Sequence, residues 1–177
     1  MSIKDIKKWA SRPLSTTEVM KIVNNKANVM NYRKLQKYDN IDDALGKWGA
    51  VILLYESRLN FGHWTLVFRA DDGTLEHFDA YGCKPDDEIK HVPEYFRKLH
   101  YNKIPHLTYL LYMSNEPVRY SQYKLQKLNP KINTCGRWVA MRLLCRHIDE
   151  DQFHDLMTKP KYINPDYLVT LATEPLL

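Results

Sequence analysis

The sequence lacks an apolar run long enough to cross a membrane. Its longest, Ala50 to Tyr55, falls far short of the ~20 residues that a span needs. An apolar centre is also missing from the N-terminal stretch MSIKDIKKWASR, so no secretory leader is expected and the protein is read as not secreted. Cysteine is scarce. Cys83, Cys135 and Cys145 are odd in number and form no C-x-x-C pair, which argues against a disulfide framework and a zinc ribbon. No repeat, low-complexity tract or Pro/Gly/Ser linker divides the chain, which argues against several domains.

What is present suits one globular unit. The chain has 177 residues, 44% of them hydrophobic, 12% aromatic and 27% charged, with a formal net charge of +5. That length supports one core rather than two. A positive balance favours contact with polyanions such as DNA. Acidic stretches (DDGTLE, PDDE, DEDQ) are mixed among the basic residues, however, and a solvated surface accounts for the charge on its own.

The patterning predicts an α+β fold. LSTTEVMKIVNN carries a capping box, Ser15 with Glu18, ahead of apolar residues at helical spacing, so residues 16–24 are read as a helix. KANVMNYRKLQKYDNIDDAL is read as short helices and loop. GAVILLYES, HWTLVFRA and TLEHFDAYG predict three adjacent strands, 50–56, 63–69 and 74–79, the last two joined at DDG. HVPEYFRKLHYNK is expected to be a helix and HLTYLLYMS a further strand. TCGRWVAMRLLCRHI is read as a helix with Trp138, Met141, Leu144 and Cys145 on one face. NPDYLVTLAT is expected to be a helix capped by Asn164, with Pro165 at its first position. The whole is a single domain over 1–177, a central mostly antiparallel or mixed sheet flanked by helices. Residues 1–44 form its N-terminal helical part, 45–147 its core and 148–177 its C-terminal helices.

Within this framework Cys135 sits where a nucleophile would. A thiol has an ordinary pKa of about 8.5, and the unpaired N–H groups of a helix start favour its thiolate. Gly136 is read as allowing close approach of a substrate backbone, and the Cys135 N–H as an oxyanion donor. Cys145, ten residues on, is read as core packing. A thiolate also needs a proton carrier. His63 follows Gly62 at a strand start, and Asp79 ends the next strand of the hairpin, so the two are expected to be cross-strand neighbours within one hydrogen bond. A metal site drawing on His63, His77, Asp79 and Cys83 matches no familiar spacing, and neither metal nor cofactor is expected.

GHWTLVF, FDAYG and TCGRW, in the order His, Asp, Cys, resemble the adenain-like cysteine proteases, which are related to the SUMO-deconjugating proteases. The segment YSQYKLQKLNPKINTCGR is most similar to the maturation-type proteases of virophages, Polinton-like elements and large DNA viruses. The resemblance covers residues 45 to 147 and implies a buried helix that begins at the nucleophile. It implies His63 as general base and acid, Asp79 as its orienting carboxylate and Cys135 as nucleophile. A glutamine upstream is expected to supply an oxyanion donor. Gln126 is assigned, nine residues before Cys135, with Gln122 in reserve. Adenain's shorter spacing would fall on Leu128 or Asn129. Trp64 is read as packing on the imidazole or in the core, and Trp48 as groove wall or core.

The activity this implies is a cysteine endopeptidase acting on capsid or core precursor polypeptides at small-residue sites containing glycine. It is expected to be a monomer in the virion and at the host assembly site, with possible DNA contact and no membrane. Two other readings share part of the pattern. One is a deconjugating isopeptidase for a ubiquitin-like modifier. The other is an inert DNA- or capsid-binding protein with a protease-like fold.

Overall fold

The computed structural model describes residues 2–177, and its fold is α+β, one five-stranded mixed sheet with helices on both faces. Two helices, α1 (Ile3–Ser11) and α2 (Thr16–Ile22), come first. Ser15 and Glu18 form the expected capping box on α2. A short strand β1 (Asn28–Asn31) follows, then α3 (Tyr32–Leu35) and α4 (Ile41–Leu45). The strands β2 (Ala50–Arg58), β3 (Phe61–Arg69) and β4 (Leu75–Phe78) lie where the alternating and apolar runs place them. Next come α5 (Glu94–His100), α6 (His106–Met113) and the strand β5 (Val118–Tyr120). The chain ends with α7 (Cys135–Leu144), α8 (Glu150–Thr158) and α9 (Pro165–Thr173).

The strands lie in chain order, with β2–β3 and β3–β4 antiparallel and the outer pairs, β1–β2 and β4–β5, parallel. Alternate residues of the central strands feed two cores. Ile52, Leu54, Trp64, Leu66, Phe68 and Phe78 pack on the face covered by α2, α7, α8 and α9. Val51, Leu53, Tyr55, Val67 and Leu75 face α3 to α6.

Three expectations need correction. HLTYLLYMS is the helix α6, not a strand. Leu107, Leu110 and Leu111 are buried at helical spacing while Tyr112 and Met113 are exposed, and a strand would have buried every second residue. The sheet's outer strands are instead β1, inside the stretch expected to be short helices and loop, and β5, for which the patterning predicts no element. On α7 the shared face is also different. Trp138 is fully buried but Leu144 is 40% exposed, and Arg137 and Arg142 are buried in its place.

The cause of that inversion is a buried ion pair. Arg142 grips Glu76 of β4 through Nε–Oε1 at 2.8 Å and Nη2–Oε2 at 3.0 Å. Nη1 and Nη2 also donate to the carbonyls of Cys145 and Ile148 respectively. Phe68 and Phe153 flank the guanidinium at 5.0 and 5.2 Å. All three guanidinium nitrogens are engaged, which is the condition under which a buried charge is tolerated. Glu76, Asp86 and Glu88 all lie inside the protein, so part of the acidic sequence read as solvated surface is internal.

Gly62 shapes the end of the sheet beside the site. A bulge between Glu56 and Arg58 precedes the β2–β3 turn. A Cβ at Gly62 would lie 1.8 Å from the Tyr55 carbonyl oxygen, so only glycine fits and His63 follows it at a fixed position.

Candidate active site

His63 and Asp79 meet at the end of β3. The β3–β4 ladder ends at Leu66–Phe78. Continuing its register sets Asp79 opposite Thr65, so Asp79 is diagonal to His63 rather than directly across from it, and on the same face. The turn beyond β4 closes the gap, leaving His63 Nε2 3.0 Å from Asp79 Oδ1. That oxygen also accepts from the Tyr81 N–H at 2.7 Å. Ser121 fixes the Asp79 backbone from the other side, its Oγ accepting from the Asp79 N–H and donating to the Asp79 carbonyl.

Cys135 is the first residue of α7 and is 7% exposed. Its N–H lies among the helix-start donors that have no partner within the helix. The chain approaching it is tied to the end of α1, where the Asn133 N–H donates to the Ala10 carbonyl and its side-chain amide to the Ser11 carbonyl. Cys135, His63, Gln126, Tyr81 and Glu88 line one cleft of about 240 Å³. A larger cavity, about 580 Å³, opens beside α6. Its lining holds neither histidine nor cysteine, so size does not mark the candidate site.

Electrostatics favour a charged imidazole. Burial opposes protonation of His63, but Asp79 and Cys135 outweigh it and raise the imidazole well above its ordinary value. With Nε2 engaged by Asp79, Nδ1 is the nitrogen left for the thiol. Burial pushes the Cys83 thiol up to about 11 and raises Cys145 as well. Cys145 packs against Met141, 3.9 Å between sulfurs.

Of the three possible side-chain oxyanion donors, Gln126 shares the cleft with Cys135. Gln122 is exposed, and Asn129 is turned to the Lys131 N–H. Gln126 is 5% exposed, and its backbone N–H donates to the Ala80 carbonyl. Its Nε2 donates to the Tyr81 hydroxyl at 3.0 Å and reaches the Ile132 carbonyl at 3.5 Å. The second contact is at the limit of a hydrogen bond, so that N–H can be given up to a stronger acceptor at little cost.

Several residues have duties other than those expected. Tyr81, not Trp64, covers the imidazole, with ring centroids 4.7 Å apart and planes 19° apart. Trp64 is the next residue on the strand and points to the opposite face, where its Nε1 donates to the Leu14 carbonyl. Gly136 is small for packing rather than for substrate. A Cβ there would meet Trp64, Leu14 and Val19 at 3.1 to 3.3 Å. Trp48 lies before β2, at the end of that strand away from Tyr55 and the cleft, and is partly exposed.

Glu88 and Asp166 are further members of this region that the sequence did not disclose. His63, Asp79 and Glu88 carry ligand-type atoms within 4.8 Å of one another. Asp166, buried on α9, accepts from Thr134 and Trp138. Glu88 sits in an acidic run and Asp166 in an ordinary first helical turn, so neither leaves a local signal of its long-range contact.

No family model matches the chain. It is 37% identical over 174 residues to the uncharacterized protein V9 of Sputnik virophage, spanning 97% of this chain and 99% of V9. The chain belongs to the V9 family. An end-to-end match to a virophage protein indicates a viral origin. Among the described residues of this V9 relative, no helix is long and apolar enough to cross a membrane.

Proposed function

We propose that this V9-family protein is a cysteine endopeptidase that matures viral capsid or core precursors. The observation that carries the reading is one cleft lined by Cys135 at a helix start, His63 bonded to Asp79, and the amide of Gln126. The raised imidazole favours a thiolate–imidazolium pair. In the reaction, the Cys135 sulfur attacks the substrate carbonyl, and the oxyanion is held by Gln126 Nε2–H and the Cys135 N–H. His63 gives its proton to the leaving amine as the C–N bond breaks, forming a thioester. It then takes a proton from water, which attacks the thioester and releases the acid and the free thiol. Asp79 holds the imidazole by Nε2 throughout.

The choice of substrate follows from the resemblance to maturation-type proteases together with the virophage relative. Cleavage beside glycine follows from that same resemblance, and a groove narrow enough to exclude Cβ atoms would account for it. The net charge of +5 is compatible with binding to viral DNA. The test is incubation of the purified protein with capsid and core precursors from its own virus, read by mass spectrometry of new termini. Wild type is expected to create termini beside glycine and Cys135→Ala none. Cleavage by both proteins, or by neither, contradicts the proposal.

A further inference from the structure

Asp166 is fully buried in the first turn of α9. Its Oδ1 accepts from Thr134 Oγ1 at 2.6 Å and from Trp138 Nε1 at 3.0 Å. Its Oδ2 accepts from the Lys127 N–H at 3.0 Å. Thr134 immediately precedes Cys135, and Trp138 lies one turn into the same helix. Lys127 immediately follows Gln126. One oxygen therefore grips the segment that carries the thiol, and the other grips the segment that carries the oxyanion amide.

The arrangement is costly for a purely structural contact. All three donors are uncharged groups, no ion pair reaches Asp166 among the described residues, and a buried carboxylate without a paired cation bears a desolvation penalty. Thr134 occupies the N-cap position of α7, yet its side chain makes no capping bond to the helix. The hydroxyl that would normally finish the helix is given to Asp166 instead.

We infer that Asp166 is a positioning residue that fixes the Gln126 amide relative to the Cys135 thiol. The inference rests on the peptidase reading of that cleft. Asp166 touches no reacting atom and acts through Thr134, Trp138 and Lys127. Because each oxygen serves a different half of the site, the two halves are separable by substitution.

Asp166→Asn is the informative variant. Trp138 Nε1–H is donor only, so the remaining oxygen must face Trp138, and the new NH2 then confronts the Lys127 N–H. The Gln126 segment is displaced while the start of α7 is kept. Turnover of a quenched-fluorescent peptide spanning a glycine site of the capsid precursor is expected to fall roughly 10-fold or more through kcat, with KM unchanged. Alkylation of Cys135 by iodoacetamide is expected to match wild type. Thr134→Val, which removes a donor on the other side, is expected to slow that alkylation as well as turnover.

Unchanged turnover in Asp166→Asn overturns the inference. So does a parallel loss of alkylation, kcat and melting temperature in both variants, which would mark Asp166 as a structural tie alone. A wild-type protein that neither cleaves nor alkylates preferentially at Cys135 sinks the peptidase reading and this inference with it. An active wild type with an unaffected Asp166→Asn sinks only the positioning.

Discussion

His77 offers a quantitative test of the packing behind the site. It lies on β4 at 1% exposure, and neither ring nitrogen has a hydrogen-bond partner among the described residues. Burial lowers its pKa from 6.5 to about 4, against the opposing pull of Asp79 and Asp86. Above pH 6.5 the ring is neutral in both the folded and unfolded chain and adds nothing to the pH dependence. Between 6.5 and about 4 the unfolded chain takes up a proton that the folded chain refuses, so stability falls as pH falls. That gap is worth about 3 kcal/mol, reached in full below the folded value. His63 has the opposite sign. Its raised value gives stability that is complete below the unfolded value and is lost as pH rises through the folded one. Urea unfolding of wild type and His77→Phe, from about pH 7.5 down to the folded His77 value, separates the two. The variant is expected to lose most of the decline between 6.5 and about 4. It should also gain at neutral pH, because two buried nitrogens no longer lack partners. A variant as acid-sensitive as wild type would refute a buried, neutral His77.

Other outcomes are as specific. Arg142→Met should cost about 3–5 kcal/mol by leaving Glu76 in the core with only the more distant Arg119, 3.9 Å away, and adding Glu76→Leu should recover part of that, both read by denaturant unfolding. Gln126→Ala should lower kcat roughly 10²-fold with KM little changed, whereas Gln122→Ala should leave both alone. Asp79→Asn should depress turnover and bring the His63 titration, followed by NMR, down towards its ordinary value.

The central hairpin was readable because its residues obey local rules. Alternation, the DDG turn and the apolar run over Ala50–Tyr55 all point the same way, and β2, β3 and β4 lie there. The capped helices α2 and α9 were readable for the same reason. The outer strands were not. β1 and β5 are only four and three residues long, and exist because a longer strand offers them an edge. In α6 a composition rich in Leu and Tyr masked helical spacing, since only the buried set Leu107, Leu110 and Leu111 reveals the period. At the site, the order His, Asp, Cys and the helix start at Cys135 were visible, and the structure brings His63 and Cys135 with Gln126 to one cleft, with Asp79 bonded to His63. Tyr81, Ser121 and Asp166 were invisible in their supporting duties because each acts on a residue far away in sequence, Ser121 and Asp166 across 42 and 32 residues, through contacts that no spacing encodes.

The account stands on an activated thiol at Cys135, and alkylation measures that directly. At about pH 6–7, iodoacetamide reacts with thiolate and spares ordinary thiols. Peptide mapping should find Cys135 modified much faster than Cys83 or Cys145, whose thiols burial raises, and His63→Ala should abolish the preference. Equal rates at the three cysteines, or a preference that survives loss of His63, would contradict it.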